Sequence, residues 1–273
     1  MENKLAKLRD ELTALEQVVI AYSGGVDSTF LLFQALQELG KENVLAVIAE
    51  SPTYPQEEIA AAIILADKLG VECRQIKTEE FSDENFLRNS KERCYFCKKE
   101  LFAKLKQLAL EKGITHLADG SNFDDLRDFR PGSKAKLEFG VRSPLQEAGL
   151  TKAEIRELSR QSDLPTWDKP SLACLSSRIP YGTRITLETL AKIGWGEEYL
   201  KQKGFKQVRV RHHGSIARIE LEEEFIPLIM ENGLMPEVTR YFEGLGYFYV
   251  TLDLKGYRTG SLNEEVSDES DLS

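Results

Sequence analysis

The strongest constraint on the fold of this chain is the segment 20–32, IAYSGGVDSTFLL, where an apolar strand pattern breaks at Ser-Gly-Gly and resumes as a helix. Two adjacent glycines permit positive φ angles, so backbone N–H groups can line a concave turn. The helix that follows adds the partial positive charge of its N-terminus, and two serine hydroxyls add donors. Asp27 suits Mg²⁺ carried with a nucleotide better than a direct phosphate contact. The turn therefore predicts a phosphate site, made of Ser23, Gly24, Gly25, Asp27 and Ser28.

The order of segments around this turn predicts an α/β fold with an open parallel sheet and right-handed crossovers. The predicted strands are 17–22, 43–50, 71–78 and 115–122, and the predicted helices are 1–16, 26–39, 56–69 and, in pieces, 82–111. Ligands of such sheets bind at the carboxyl ends of the strands. Glu50, Ser51 and residues 119–122 follow strands in this way, so we expect them to meet the glycine turn in one crevice.

From about Pro165 the hydrophobic periodicity is lost in a proline-containing loop, and a smaller α+β pattern follows. Its predicted elements are a helix over 187–202, strands over 205–212 and 215–221, a helix over 222–244 and a strand over 246–254. The predicted organisation is a nucleotide domain over 1–165, a smaller α+β domain over 166–265, and an acidic tail over 266–273.

Charge and composition limit the partners of the chain. The formal net charge is −9, which argues against gripping a long nucleic acid through its phosphates but allows a small anion in a locally basic pocket. No apolar run approaches the roughly 20 residues that cross a bilayer, and no signal peptide is recognisable. We therefore expect a cytoplasmic protein with no membrane and no nucleic-acid partner.

The four cysteines suggest metal or thiol chemistry, because closely spaced thiols in a reducing compartment rarely form disulfides. Cys94 and Cys97 form a C-x-x-C, Cys174 stands alone, and Cys73 falls inside a predicted strand, where we expect a core residue. Zinc needs four ligands, and no second pair of cysteines or histidines matches. Three cysteines suit a [4Fe–4S] cluster with one open iron position, whereas Cys174 alone suits a thiolate nucleophile. A pair of partly buried helix thiols is a third interpretation.

Two levels of resemblance narrow the function. The S-G-G-x-D-S string resembles the PP-loop of ATP pyrophosphatases, in which a substrate oxygen attacks the α-phosphate of ATP. The strings YSGGVDS, RCYFCK, DGSNFDD, LACLSSRIPYGTRIT, VRVRHHG and YVTLDLKGYRTGSLNE, spread over about residues 5 to 265, resemble the LarE family. Members of that family use ATP to convert the carboxylates of a pyridinium-biscarboxylic acid mononucleotide to thiocarboxylates. Their product goes on to the nickel-pincer cofactor of lactate racemase.

The resemblance implies roles for individual residues. Residues 23–28 would hold the ATP phosphates, with Glu50 and Ser51 near the nucleotide. Cys174 matches the cysteine that gives up its own sulfur in some members. Other members hold a [4Fe–4S] cluster with three cysteines, a pattern that Cys94, Cys97 and Cys174 fit, so the chain resembles this cluster type rather than the sacrificial members, which lack the C-x-x-C. The resemblance further implies a homo-oligomer, a trimer or a hexamer.

Arg209 and Arg211 alternate along a predicted strand, so both point to one face and could clamp the phosphate of a mononucleotide. Resemblance to the phosphate-binding arginines of the family favours this role over a solvated basic face, and Arg178 is predicted to bind substrate with them. Glu197, Glu198 and Asp253 are candidate acid–base or metal-contacting groups with no assigned role.

Three other functions share parts of this pattern. A PP-loop tRNA thiolation enzyme has the same loop and often three cysteines, but it needs an RNA-binding surface. A PP-loop amidotransferase needs a source of ammonia. A non-catalytic nucleotide-binding module needs the loop alone.

Overall fold

The computed structural model describes residues 1–127, 131–171, 173–231 and 233–258. The chain forms two compact units, residues 1–172 and 173–273. The domain boundaries at 165 and 265 remain predictions, and the predicted acidic tail lies outside the described residues.

Unit 1 is a parallel sheet covered by helices on both faces. Its strands are β1 (Val18–Ala21), β2 (Val44–Glu50), β3 (Glu72–Lys77) and β4 (His116–Asp119). Its helices are α1 (Glu2–Thr13), α2 (Val26–Leu39), α3 (Gln56–Lys68), α4 (Glu84–Leu87), α5 (Arg93–Lys112), α6 (Gly132–Phe139), α7 (Pro144–Glu147) and α8 (Lys152–Gln161). The strand order is β3-β2-β1-β4, and every pairing is parallel. The predicted open parallel sheet is confirmed.

Successive apolar side chains of the central strand β1 point to opposite faces of the sheet, and this explains why helices cover both faces. Val18 and Ile20 are buried in one cluster, which contains residues of α1 and α2. Val19 is buried in the other cluster, together with Phe102 and Leu105 of α5. The edge strand β3 is mostly exposed, because only β2 pairs with it.

The sequence prediction missed α6, α7 and α8. A capping box begins α8: the Thr151 hydroxyl accepts the Glu154 N–H, and the Glu154 carboxylate accepts the Thr151 N–H. The T-x-x-E pattern is a sequence signal for this helix start. The prediction of helix in pieces over 82–111 is confirmed, since α4 and α5 are separate helices and α5 is the longer one.

Unit 2 contains α9 (Leu187–Gln202), β5 (Val208–His213), β6 (Ile216–Leu221), α10 (Ile226–Glu231), α11 (Met235–Gly244) and β7 (Tyr249–Leu252). Its sheet has the order β5-β6-β7, with β5 antiparallel and β7 parallel to β6. The predicted smaller α+β unit is therefore present. The single helix predicted over 222–244 is wrong: Gly233, at φ +64°, lies between α10 and α11, and Pro236 is in the first turn of α11, where proline is tolerated.

Among the described residues, no helix has both the length and the apolar character that a membrane crossing requires.

Candidate functional site

The turn between β1 and α2 can exist only with glycine at position 24. Gly24 has φ +67°, and a Cβ built on it would lie 2.4 Å from the Ala62 Cβ of α3. Gly25 is the N-cap of α2, and no side chain caps the helix there. The first-turn N–H groups of a 14-residue helix are thus left for another acceptor. An anion is the natural acceptor at this position.

Hydroxyl groups hold the turn in shape. The Ser23 Oγ lies 3.0 Å from the Ser28 Oγ and accepts the Gly25 N–H at 3.4 Å. The Ser28 hydroxyl donates to the Gly25 carbonyl oxygen at 3.3 Å. Ser28 is buried, so these bonds hold the turn against the first residues of α2.

Two lysines that the sequence analysis did not assign to the site contact the turn and its aspartate. The Lys152 ammonium, at the start of α8, lies 2.5 Å from the Asp27 Oδ2. The Lys169 Nζ donates to the Gly24 carbonyl oxygen at 3.0 Å and lies 2.8 Å from the Glu58 carboxylate. The other carboxylate oxygen of Asp27 is buried and has no hydrogen-bond partner within the described residues. A buried carboxylate oxygen of this kind fits a cation that enters with a nucleotide.

The end of β4 packs against the start of α2. A Cβ on Gly120 would lie 2.9 Å from the Ser28 N and Cα, so glycine is required for this close approach. The Asp119 carboxylate before it is buried and accepts the hydroxyls of Ser143 and Ser121, at 2.7 and 2.8 Å. The structure thus brings the carboxyl ends of β1 and β4 together, as the position of residues 119–122 predicts.

An open pocket lies beside the turn, over the carboxyl ends of β1 and β2. Its polar lining includes Ser23, Ser51, Glu58, Thr78 and Glu80, and its apolar lining includes Val47, Ile48, Ile59 and Leu101. An apolar wall beside a phosphate site suits a nucleotide base. Ser51 therefore lies where the sequence predicts it. Glu50 is not among the lining residues; its carbonyl oxygen accepts the Thr78 N–H at 3.2 Å.

A second, more open depression lies at the amino ends of the strands. It is lined by Gln17, Lys41, Glu72 and Lys112 among others, and none of the predicted site residues lines it. The glycine turn and the strand ends that pack on it favour the first pocket as the nucleotide site.

The C-x-x-C lies at the start of α5. Cys94 is exposed, and Cys97, about one helical turn later, lines the nucleotide pocket. Cys73 on β3 packs against the core, and burial raises the pKa of its thiol to about 11. Within the described residues, no group of three His, Cys, Asp or Glu side chains is arranged to hold a metal ion.

Two of the three predicted substrate-binding arginines form buried ion pairs in unit 2. Arg178 donates to both carboxylate oxygens of Glu197, at 2.8 and 3.0 Å. Arg211 does the same with Glu220, at 2.9 and 3.0 Å. Both pairs are almost completely buried. Neither pair could be predicted from the sequence, because Arg178 in a 3₁₀ turn meets Glu197 on α9, and Arg211 on β5 meets a carboxylate on β6 that is not its direct cross-strand partner.

The third arginine, Arg209, has no carboxylate partner in the described part of the chain. Its Nη2 donates to the Tyr257 Oη at 2.8 Å, and its guanidinium carbon lies 4.6 Å from the centroid of that ring. Burial lowers the pKa of Arg209, and the positive charge of Arg178 lowers it further. The solvated-face interpretation of Arg209 and Arg211 is wrong, because the two residues are only 6% and 2% exposed. Arg209 is thus a buried cation that lacks an anion.

Cys174 stands at the N-cap of a short 3₁₀ turn, Leu175–Arg178, and is half-buried. Its carbonyl oxygen accepts the Ser177 N–H at 2.9 Å and the Arg178 Nη1 at 3.2 Å. Although burial works against the charge of Arg178, Glu197 raises its pKa. The Arg178–Glu197 pair therefore holds the backbone of Cys174 in place.

The remaining acidic candidates in unit 2 have ordinary partners. Glu198 accepts a hydrogen bond from Gln202 at 3.0 Å. Asp253 lies 3.7 Å from the Arg218 guanidinium and 3.8 Å from that of Arg258. Neither contact suggests an acid–base role.

Comparisons with known proteins agree with this geometry. A family model described as NAD synthase matches residues 2–110, which include the glycine turn. An uncharacterized protein of Synechocystis sp. is 45% identical over 98% of this chain and 99% of its own length. The pyridinium-3,5-bisthiocarboxylic acid mononucleotide synthase of Lactiplantibacillus plantarum is 39% identical over 98% of this chain and 96% of its own length. An uncharacterized protein of Methanocaldococcus jannaschii is 32% identical over 94% of this chain and 98% of its own length. The chain therefore belongs to the LarE family, that of pyridinium-3,5-bisthiocarboxylic acid mononucleotide synthase, and it is an ATP-dependent enzyme.

Proposed function

We propose that this chain activates a carboxylate of pyridinium-biscarboxylic acid mononucleotide with Mg-ATP and replaces one of its oxygens by sulfur. The products would be a thiocarboxylate, AMP and pyrophosphate, and the thiocarboxylate would serve the nickel-pincer cofactor. The observation that carries the proposal is the glycine turn, whose uncapped helix and two lysines form a polyphosphate site in a chain 39% identical to the named synthase.

In the first step, the substrate carboxylate attacks the α-phosphorus of ATP. A new O–P bond forms, the bond to the β-phosphate breaks, and pyrophosphate leaves. The N–H groups at the start of α2 would bind the β- and γ-phosphates, while Lys152 and Lys169 offset the charge that builds up on pyrophosphate. Asp27 would bind Mg²⁺ through its unpartnered oxygen, and the metal supplies further charge neutralisation when it is bound.

In the second step, sulfur attacks the acyl adenylate and AMP leaves with the electron pair of the broken C–O bond. This order is favourable because a free carboxylate resists nucleophiles, whereas AMP is a good leaving group. If the sulfur is that of Cys174, a thioester forms first. A base then takes the Cα proton, the Cα=Cβ bond forms as the Cβ–S bond breaks, and dehydroalanine and the thiocarboxylate remain. The bonds from Arg178 to the backbone would keep this residue in position.

A [4Fe–4S] cluster is the sulfur source that the family resemblance favours. Cys94 and Cys97, one turn apart on α5, would supply two thiolates to a [4Fe–4S] cluster, and Cys174 would supply the third. Such a cluster has an iron position open to an exogenous sulfide. Neither step above depends on it.

Arg209 would bind the phosphate of the substrate mononucleotide. It is the predicted arginine whose charge no described carboxylate neutralises, and Tyr257 fixes the plane of its guanidinium. Arg178 and Arg211 would act by holding the backbone at Cys174 and Ser177, since carboxylates already occupy one edge of each guanidinium.

The test is turnover of anaerobically purified protein with ATP and the mononucleotide. We expect equimolar AMP, pyrophosphate and thiocarboxylate. Cys174→Ala should abolish the thiocarboxylate, and absence of pyrophosphate release from the native protein would overturn the proposal. Mass spectrometry then separates the sulfur sources, because loss of the mass of H₂S from Cys174 excludes the cluster route. Bound iron and sulfide that disappear in Cys94→Ala would exclude the sacrificial route.

The family resemblance also supports a homo-oligomer. We propose a trimer or a hexamer, which light scattering of the full chain would distinguish from a monomer.

A further inference from the structure

A polar cluster on the apolar side of the nucleotide pocket has no role in the chemistry above. We define the acceptor cluster as Ser51, Thr53 and Glu80, from the turn after β2 and the 3₁₀ turn after β3. The three side chains are between 1% and 2% exposed, and Ser51 and Glu80 line the pocket. The described residues place no lysine, arginine or histidine in an ion pair with Glu80. Burial of an unpaired carboxylate is costly unless hydrogen bonds satisfy it.

The hydrogen bonds within the acceptor cluster run in one direction. The Ser51 hydroxyl donates to the Glu80 Oε1. Since a serine has a single O–H proton, the Thr53 hydroxyl must be the donor in its 2.7 Å contact with the Ser51 Oγ. The Thr53 N–H donates to the same oxygen at 3.1 Å. Both hydroxyl protons are thus used within the cluster, and the series of hydrogen bonds ends at the Glu80 carboxylate.

The second carboxylate oxygen of Glu80 is the unsatisfied end of this series of hydrogen bonds. Its Oε2 is buried and has no hydrogen-bond partner among the described residues. A carboxylate oxygen only accepts, so the missing partner is a donor. The terminal torsion of a glutamate is soft, and the carboxylate can therefore turn toward a donor that enters the pocket.

We infer that the Glu80 carboxylate accepts a hydrogen bond from the exocyclic amino group of adenine and thereby favours the binding of ATP over that of GTP. The wall beside it is apolar, as a base requires, and the phosphate turn lies at Ser23 of the same pocket. Adenine presents N–H donors at its C6 position, whereas guanine presents a carbonyl acceptor there. An acceptor opposite an acceptor is repulsive, so the acceptor cluster would disfavour guanine. The inference adds a specificity residue to the ATP use of the family and does not depend on the sulfur source.

The first test needs no variant. Binding of ATP, purine riboside triphosphate, N6,N6-dimethyl-ATP, GTP and 2′-deoxy-ATP to the full chain is measured by calorimetry. Loss of a hydrogen bond to a charged acceptor predicts that the two analogues without an amino proton bind at least about tenfold more weakly than ATP. We expect GTP to bind more weakly still, and 2′-deoxy-ATP to match ATP. Equal affinity for ATP and purine riboside triphosphate would overturn the inference.

The second test is Glu80→Gln, with Glu79→Gln as the matched control on an exposed neighbour. The amide of the variant can donate to the guanine carbonyl, so we expect the ratio of ATP to GTP affinity to fall about tenfold or more. The control should keep the native ratio. A changed preference for 2′-deoxy-ATP with an unchanged ATP-to-GTP ratio would assign Glu80 to the ribose and refute the adenine assignment. Failure of every nucleotide to bind native protein would instead contradict the nucleotide site itself.

Discussion

Substitution of Gly24 by alanine tests whether the glycine turn is held by its contact with α3. An L-residue at φ +67° costs about 1–2 kcal/mol. The new Cβ would also lie 2.4 Å from the Ala62 Cβ and 3.1 Å from its Cα, where carbon atoms normally stay about 3.5–4.0 Å apart. Relief of such an overlap by backbone shifts costs about 1–3 kcal/mol. We therefore expect the free energy of unfolding to fall by about 2–5 kcal/mol.

The same substitution should weaken ATP binding. The overlap pushes the turn away from α3, so the N–H groups that follow Gly24 no longer converge on one phosphate. Because positioning of several donors is lost at once, we expect ATP affinity to fall by more than about tenfold.

Two companion variants separate backbone strain from the overlap. Gly113 also has a positive φ, +70°, but a Cβ there would meet nothing within 4 Å. Gly113→Ala should therefore cost only the backbone term, about 1–2 kcal/mol, and leave ATP binding unchanged. Ala62→Gly removes the nearer of the two clashing atoms, so the Gly24→Ala and Ala62→Gly pair should show a favourable coupling of about 1–3 kcal/mol.

Urea unfolding measures the free energy of unfolding of the native protein, of the three single variants and of the double variant. Calorimetry measures the ATP affinity of each. The reasoning is refuted if Gly24→Ala and Gly113→Ala cost the same and the pair with Ala62→Gly is additive to within about 0.5 kcal/mol. Contact with α3 would then have no part in shaping the turn.

Three further outcomes follow from the structure. Glu197→Ala leaves the Arg178 charge buried without its carboxylate, so urea unfolding should show a loss of about 3–5 kcal/mol, and a loss below about 1 kcal/mol would contradict the buried pair. Since burial raises the pKa of Cys73 to about 11, iodoacetamide at pH 7.5 should label it slowly in native protein and at the ordinary rate after denaturation, as mass spectrometry would show. Burial acts to raise the pKa of Glu154, but the Lys4 ammonium and the helix-capping bonds lower it to about 2. Its stabilising contribution is therefore complete above about pH 4.5 and disappears as the pH falls toward 2, and Glu154→Gln should flatten the stability profile in that window.

Local pattern was enough to predict the four strands of unit 1 and the helices α1, α2, α3 and α5, because most of these elements are apolar runs bounded by recognisable turn residues, whereas α6, α7 and α8 were missed. The buried strand β2 and the glycine turn are signals of this kind. The lysines at the site were missed for a physical reason. Lys152 and Lys169 meet residues 125 and 145 positions earlier, and such contacts depend on how helices pack across the sheet.

Unit 2 shows the complementary limit. Alternation on β5 placed Arg209 and Arg211 on one face, but alternation cannot say whether that face meets water or carboxylates. Glu220 on β6 is the cross-strand partner of Arg209. Its carboxylate nevertheless accepts hydrogen bonds from Arg211. Side-chain choice among equivalent neighbours is decided by packing, which the sequence does not display.

The buried positive charge of Arg209 has a thermodynamic consequence for the enzyme between catalytic cycles. Among the described residues, the buried guanidinium of Arg209 has the Tyr257 hydroxyl as its hydrogen-bond partner and the Tyr257 ring as its stacking partner. An anion that binds there is held by the folded chain alone, so occupancy and folding are linked equilibria. Free anion at about 100 times its dissociation constant would add about 2.7 kcal/mol to the stability of the fold. The melting temperature of the enzyme should therefore rise when this anion binds.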